Sequence, residues 1–183
     1  MMSDAMKEKI SKLALIVFAV AIALFSLVNT SFKTEIKRDV TLDIYDNGAV
    51  VGQTVVHIDG TRADFLLSRF INQNDNFGGR FAIELAERTC SEHTTARISW
   101  WEHEGGLKYQ DISFWSYSTT LGNDTTGVSH MILINPSMTE MAIQLTDGRV
   151  LASSETVYEI YTEHFTYNAA NGTTGFSSGI PEF

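Results

Sequence analysis

The chain is short of cysteine and of positive charge, and both shortages narrow what it can be. One cysteine, Cys90, stands among 183 residues, so no internal disulfide can form, and no second thiol offers zinc spacing. Flanked by Thr89 and Ser91, it reads as a small apolar residue rather than a reactive thiol. Lys and Arg number 13 against 22 Asp and Glu, for a net charge of −9. From Phe32 onward the imbalance is 20 acidic residues to 10 basic ones. Such a domain repels phosphate backbones, and with no basic run or basic helix face, nucleic acid is excluded as a partner.

What is present is enough for one core. An apolar fraction of 44% with 11% aromatics excludes a disordered chain, and the length suits a single globular domain. One long hydrophobic run stands out, LALIVFAVAIALFSLV from Leu13 to Val28. Its 16 residues give about 24 Å of helix at ~1.5 Å per residue, against a hydrocarbon core of ~30 Å. Lys7, Lys9 and Lys12 precede it, which is the signal-anchor arrangement. A cleavage motif is wanting, since Ala21-x-Ala23 lies inside the run, and no lipidation cysteine comes after it. The expectation is a single transmembrane helix holding the chain in a lipid bilayer through Leu13–Val28. Residues 1–31 would then be a short N-terminal segment plus anchor, 32–167 an extracytoplasmic domain, and 168–183 a flexible Asn/Gly/Thr/Ser tail.

Downstream, period-two alternation dominates. After a charged stem, Phe32 to Asp39, Val40, Leu42 and Ile44 alternate with Thr41, Asp43 and Tyr45. Asp46-Asn47-Gly48 supplies a hairpin turn into Ala49–Ile58. Thr61-Arg62-Ala63-Asp64 has the form of a helix cap, and Ala63, Leu66, Leu67, Phe70 and Ile71 come next at helical spacing. Strands are expected around Phe81–Leu85 and Val128–Asn135, the latter stopped by Pro136. Hairpins are expected about Glu104-Gly105-Gly106 and Asp147-Gly148. Ser154 can cap a last helix presenting Val157, Tyr158, Tyr161 and Phe165 on one face. Together these predict an α+β fold: an N-terminal transmembrane helix, then a mostly antiparallel β domain with one or two packed helices.

Few constellations carry chemistry. Glu102 and Glu104 share a strand face and His103 takes the other, so they do not ligate one metal together; no metal or cofactor is assigned. The Asp and Asn of the turns lack the register of a calcium loop, and turn chemistry accounts for them. No G-x-S-x-G, S-x-x-K or phosphate loop occurs, and Cys90 with His93 has no third orienting group. No catalytic residue is therefore named, and an enzyme stays as an alternative of unknown class. The candidate ligand site is aromatic: Trp100, Trp101, Trp115 and Tyr117. If Trp101 points into the core, Trp100 faces outward, and a facing strand can set Trp115 or Phe114 beside it as a stacking platform.

The strand ending His57-Ile58-Asp59-Gly60, then Phe65-Leu66 and Phe77-Gly78-Gly79-Arg80-Phe81-Ala82-Ile83, is similar to a loose group of uncharacterised anchored envelope proteins of Gram-positive bacteria. The likeness covers about half the chain. It implies the same membrane placement and brings no activity or catalytic residues. The functional expectation is a tethered binding or accessory domain that associates with another envelope protein. The alternative is a module binding glycan or a small ligand through the aromatics.

Overall fold

The computed structural model describes residues 4–28, 30–66, 74–102, 108–168 and 173–176. The chain opens with helix α1 (Asp4–Val28). Thr30 caps its end by donating from its hydroxyl to the Ser26 carbonyl, and strand β1 (Ser31–Asp46) begins one residue later. Strand β2 (Ala49–Phe65) returns along β1 through 16 paired positions. The turn between them works because Asn47 and Gly48 take φ of 49° and 84°, the left-handed pair that matches strand twist.

Strand β3 (Asn76–Ile83) comes next, then a 3-10 turn at Glu87–Cys90, β4 (Thr94–Glu102), β5 (Lys108–Ser116) and β6 (Thr119–Leu121). A one-turn helix α2 (Asn123–Thr126) leads to β7 (Val128–Ile134), β8 (Met141–Leu145) and β9 (Val150–Ala152). Helix α3 (Glu155–His164) precedes β10 (Phe165–Asn168), which pairs with β11 (Thr173–Phe176). The main sheet runs β4-β3-β2-β1-β9-β8-β7-β5, and β4 pairs again with β5. Eight antiparallel strands thus close on themselves, and β6 adds to the same edge of β5 that β7 meets at Asp111. Closure removes the exposed edges that an open sheet leaves unpaired.

The interior is filled by side chains from every wall, among them Leu42, Val56, Ile58, Phe77, Phe81, Ile98, Ile112, Ile132 and Ile143, each 2% exposed or less. At one corner, Gly60 and Gly79 lie opposite each other. A Cβ on Gly60 would stand 2.7 Å from the Phe77 ring, and one on Gly79 2.5 Å from the Asp59 carbonyl, so the close strand approach requires both glycines. A second core lies outside the barrel. Val157, Tyr161 and Phe165 pack on Tyr45, Met131, Leu133, Ala142, Val150 and Ala152. This explains why β7, β8 and β9 read as nearly continuous apolar runs: they are covered on both faces.

The expected α+β fold is corrected by this closure. The helix expected over Ala63–Ile71 begins inside β2 instead, where Ala63, Asp64 and Phe65 pair with Lys33, Phe32 and Ser31; residues 67–73 lie outside the described set. Long-range ladder pairing has overridden the local cap motif. The charged stem is the first half of β1.

The anchor is corrected too. Among the described residues, no helix is long and apolar enough to cross a membrane. The apolar run of α1 is bounded by Lys12 and by the polar residues ahead of β1, and its ~24 Å falls short of a ~30 Å core. The transmembrane, signal-anchor and single-pass cell-membrane assignments are withdrawn on that finding.

Candidate functional site

Strands β4 and β5 pair as expected, the Glu104-Gly105-Gly106 turn lies outside the described residues, and the structure distributes the rings of this pair. Register pairs Trp100 with Gln110, Trp101 with Tyr109 and Thr95 with Trp115. Because opposite residues share a face, Trp100 belongs with buried Ile98, Ile112 and Phe114 inside the barrel. Its ring nitrogen donates to the Ile134 carbonyl at 3.4 Å. Trp101 and Trp115 occupy the outer face, 38% and 37% exposed. Six positions of β5 separate Tyr109 from Trp115, about 20 Å at ~3.3 Å per residue, so the two indoles do not meet. The ring nitrogen of Trp101 donates to Asp111.

Tyr117 sits in the turn between β5 and β6, 74% exposed, and its ring lies 4.4 Å from that of His93. Tyr117 and Ser118 both take positive φ, 48° and 69°, a conformation uncommon outside glycine and asparagine. The loop 91–93 and this turn therefore hold one exposed aromatic pair at an end of β5, a grouping that sequence spacing does not reveal.

A polar cleft of about 260 Å³ opens where the 3-10 turn, α2 and the β8–β9 turn converge, between Arg88, Asp124, Thr126, Gly127, Asp147 and Arg149. Arg149 donates from Nε and Nη2 to Asp147 Oδ2 at 2.9 and 2.6 Å. The guanidinium holds the Asp147 carboxyl below its ordinary range, so this pair is internally neutralised.

His57, a lone histidine in the sequence, is flanked by two acids in space. Its Nδ1 lies 2.7 Å from Asp39 Oδ1 and its Nε2 3.1 Å from Glu84 Oε1. Hydrogen bonding first to Asp39 and then to Glu84 raises its pKa above the usual histidine value, because only the imidazolium donates to both. Among the described residues no group of three or more His, Cys, Asp and Glu is placed to hold a metal. His103 and Glu104 lie outside the described residues.

The largest departure from ordinary burial is α1. Every position from Lys12 to Leu27 is exposed. Leu13, Leu15, Phe18 and Phe25 are 62%, 71%, 66% and 71% accessible. An apolar surface that wraps a whole helix far exceeds the scattered apolar residues of an ordinary surface. No family model, curated protein or solved structure matches the chain.

Proposed function

We propose that the chain is a binding protein that associates with another protein through α1, with the barrel as the rigid body that α1 carries. The exposed apolar surface of α1 is the observation that supports this reading, since burying apolar area is the main drive to association. The direct junction to β1 couples the helix to the barrel: the Leu66 amide donates to the Thr30 carbonyl at 3.2 Å.

The test is a pull-down of the full-length chain from its native source in mild detergent, with mass spectrometry of the proteins that co-purify. Stoichiometric recovery of one protein, lost when Leu15 and Phe18 are replaced by Gln, supports the proposal. Recovery of the chain alone sinks it. That outcome moves the weight to a second reading, a ligand site at Trp115 and Tyr117. The second reading is supported by the exposed Tyr117 ring on a backbone held at positive φ, since such strain concentrates at functional positions.

A further inference from the structure

Barrel closure needs a staggered register, and here the stagger leaves one stretch of strand edge open at the rim. Strand β1 pairs with β2 from Ser31 onward, yet its other edge meets β9 only from Asp43 to Tyr45. The Leu66 amide donates to the Thr30 carbonyl, in the same frame that pairs Ser31 with Phe65. Antiparallel ladders alternate hydrogen-bonded and non-hydrogen-bonded pairs. Even-numbered positions of β1 therefore turn their N–H and C=O towards β2, and odd-numbered positions turn theirs towards the open edge. Asp43, an odd position, does meet β9 there. Among the described residues, no strand and no backbone hydrogen bond takes up this edge between positions 31 and 41.

The side chains along the edge are ordered in charge. Ile36, Val40 and Leu42 are buried in the barrel, so the odd positions Lys33, Glu35, Lys37, Asp39 and Thr41 face outward, and all five are exposed. Their charges run plus, minus, plus, minus. An edge of one sign repels a second copy of itself, which is one way that charged edges stay single. This edge is complementary to itself when reversed. Set antiparallel about Ile36, Lys33 meets Asp39 of the second copy and Glu35 meets Lys37 of the second copy, and two-fold symmetry repeats each pair. Lys37 and Asp39 also touch Asp59 and His57 within their own chain. Lys33 and Glu35 have no ion-pair partner among the described residues.

Two further observations select the same register. Ile36 is the midpoint of the open stretch, so Ser31 and Thr41 close the ladder at either end just before β9 begins. Hydrogen-bonding parity agrees too: odd positions face one another as hydrogen-bonded pairs, and Ile36 faces its own copy across a non-hydrogen-bonded one. Phe32, an apolar side chain left 58% exposed, comes opposite Val40 of the second copy.

We propose that two copies of the chain pair through their β1 edges, forming a two-fold dimer whose antiparallel ladder spans positions 31–41. Main-chain hydrogen bonds supply the attraction and the four charges fix the register. The ladder is about 33 Å long at ~3.3 Å per residue. The two α1 helices join it at opposite ends, so this interface is separate from the one assigned to α1.

The experiment is sedimentation equilibrium of the full chain in a non-ionic detergent, up to high micromolar concentration. A dimer is expected for the wild type, and equally for the variant with Leu15→Gln and Phe18→Gln, which alters α1 alone. Glu35→Lys sets like charges opposite each other at two places, as does Lys37→Glu, and each is expected to raise the dissociation constant about tenfold. The decisive sample is a mixture of these two variants, because the copy carrying two lysines then faces the copy carrying two glutamates. The mixed dimer is expected to regain the wild-type affinity, a rescue that a merely misfolded variant does not show. A wild type that stays monomeric overturns the proposal. So does a dimer indifferent to both charge reversals, or one weakened by both and not restored by mixing. A dimer lost with Leu15→Gln and Phe18→Gln, yet untouched by the charge reversals, overturns it as well and assigns self-association to α1.

Discussion

The barrel and α1 use the same residue types in opposite ways. In the barrel, Leu, Ile, Val and Phe point inward to a filled core, and charged pairs such as Lys37 with Asp59, 3.4 Å apart, occupy the outside. In α1 the same apolar types face outward around the whole circumference. One region satisfies its apolar surface by folding, while the other leaves its apolar surface exposed. The difference teaches that a hydrophobic run is not by itself a core element. Period-two alternation lets each strand divide its residues between inside and outside, whereas an unbroken run on a helix has no polar face to turn outward.

The comparison breaks if the two regions share a stability. Ile143→Ala removes a fully buried side chain from the barrel interior and is expected to cost about 2–5 kcal/mol, the range for such cavities. Phe18→Ala removes a side chain 66% exposed, and its expected effect on barrel unfolding lies within about 0.5 kcal/mol. Urea titrations of the two variants, monitored by tryptophan fluorescence, measure both. Similar losses would mean that α1 is part of the folding unit after all.

Much of the barrel was legible because hairpins write themselves locally. Asp46-Asn47-Gly48 and Asp147-Gly148 announce their turns, and Ser154 caps α3 as its position foretells. Closure was not legible, since it rests on β1 meeting β9 and β4 meeting β5, and pairing between distant segments leaves no local trace. The cap-like Thr61-Arg62-Ala63-Asp64 misled for the same reason. The aromatic hairpin was placed correctly in the chain, yet its facing was open until register was known: Trp100 turns inward and Trp101 outward.

Register also hid the His57 cluster. Counting back from the turn, Asp46 pairs with Ala49 and Tyr45 with Val50, but Ile44 pairs with Gly52. This one-residue bulge brings Asp39 opposite His57. Without it Asp39 would face Val56, a core residue, and a one-residue slip exchanges inside for outside.

A smaller effect sharpens the contrast by testing the outer layer of the barrel. The Ser154 side chain accepts from the Val157 amide at 3.3 Å, and α3 holds Val157 and Tyr161 over β7, β8 and β9. Ser154→Ala is expected to destabilise the barrel by about 1 kcal/mol, read as a lower urea midpoint with an unchanged slope. Unlike α1, this helix hides its apolar face, so the loss must register in global unfolding. Protection of the β7–β9 amides from hydrogen exchange should fall in step with it.

The smallest expected effect concerns the polar exterior, where β1, β2 and the residue after β3 meet at His57. Folding raises the pKa of this imidazole through hydrogen bonds to Asp39 and Glu84. The protonated group therefore contributes its full stabilisation below the unfolded value, near ~6.5. That contribution is lost as pH rises through the higher folded value. The histidine side chain is 41% exposed and its partners are 71% and 55% exposed, so solvent screening keeps the total under about 1 kcal/mol. Lys37, Asp59 and Arg80 also lie on this face. The difference between wild type and His57→Gln isolates the contribution of the imidazole. Unfolding free energies of the two proteins from pH 5.5 to 9 should differ most at the acid end and converge towards the alkaline end. A difference that is constant across the range would show that the two carboxylates hold His57 by packing and not by its charge.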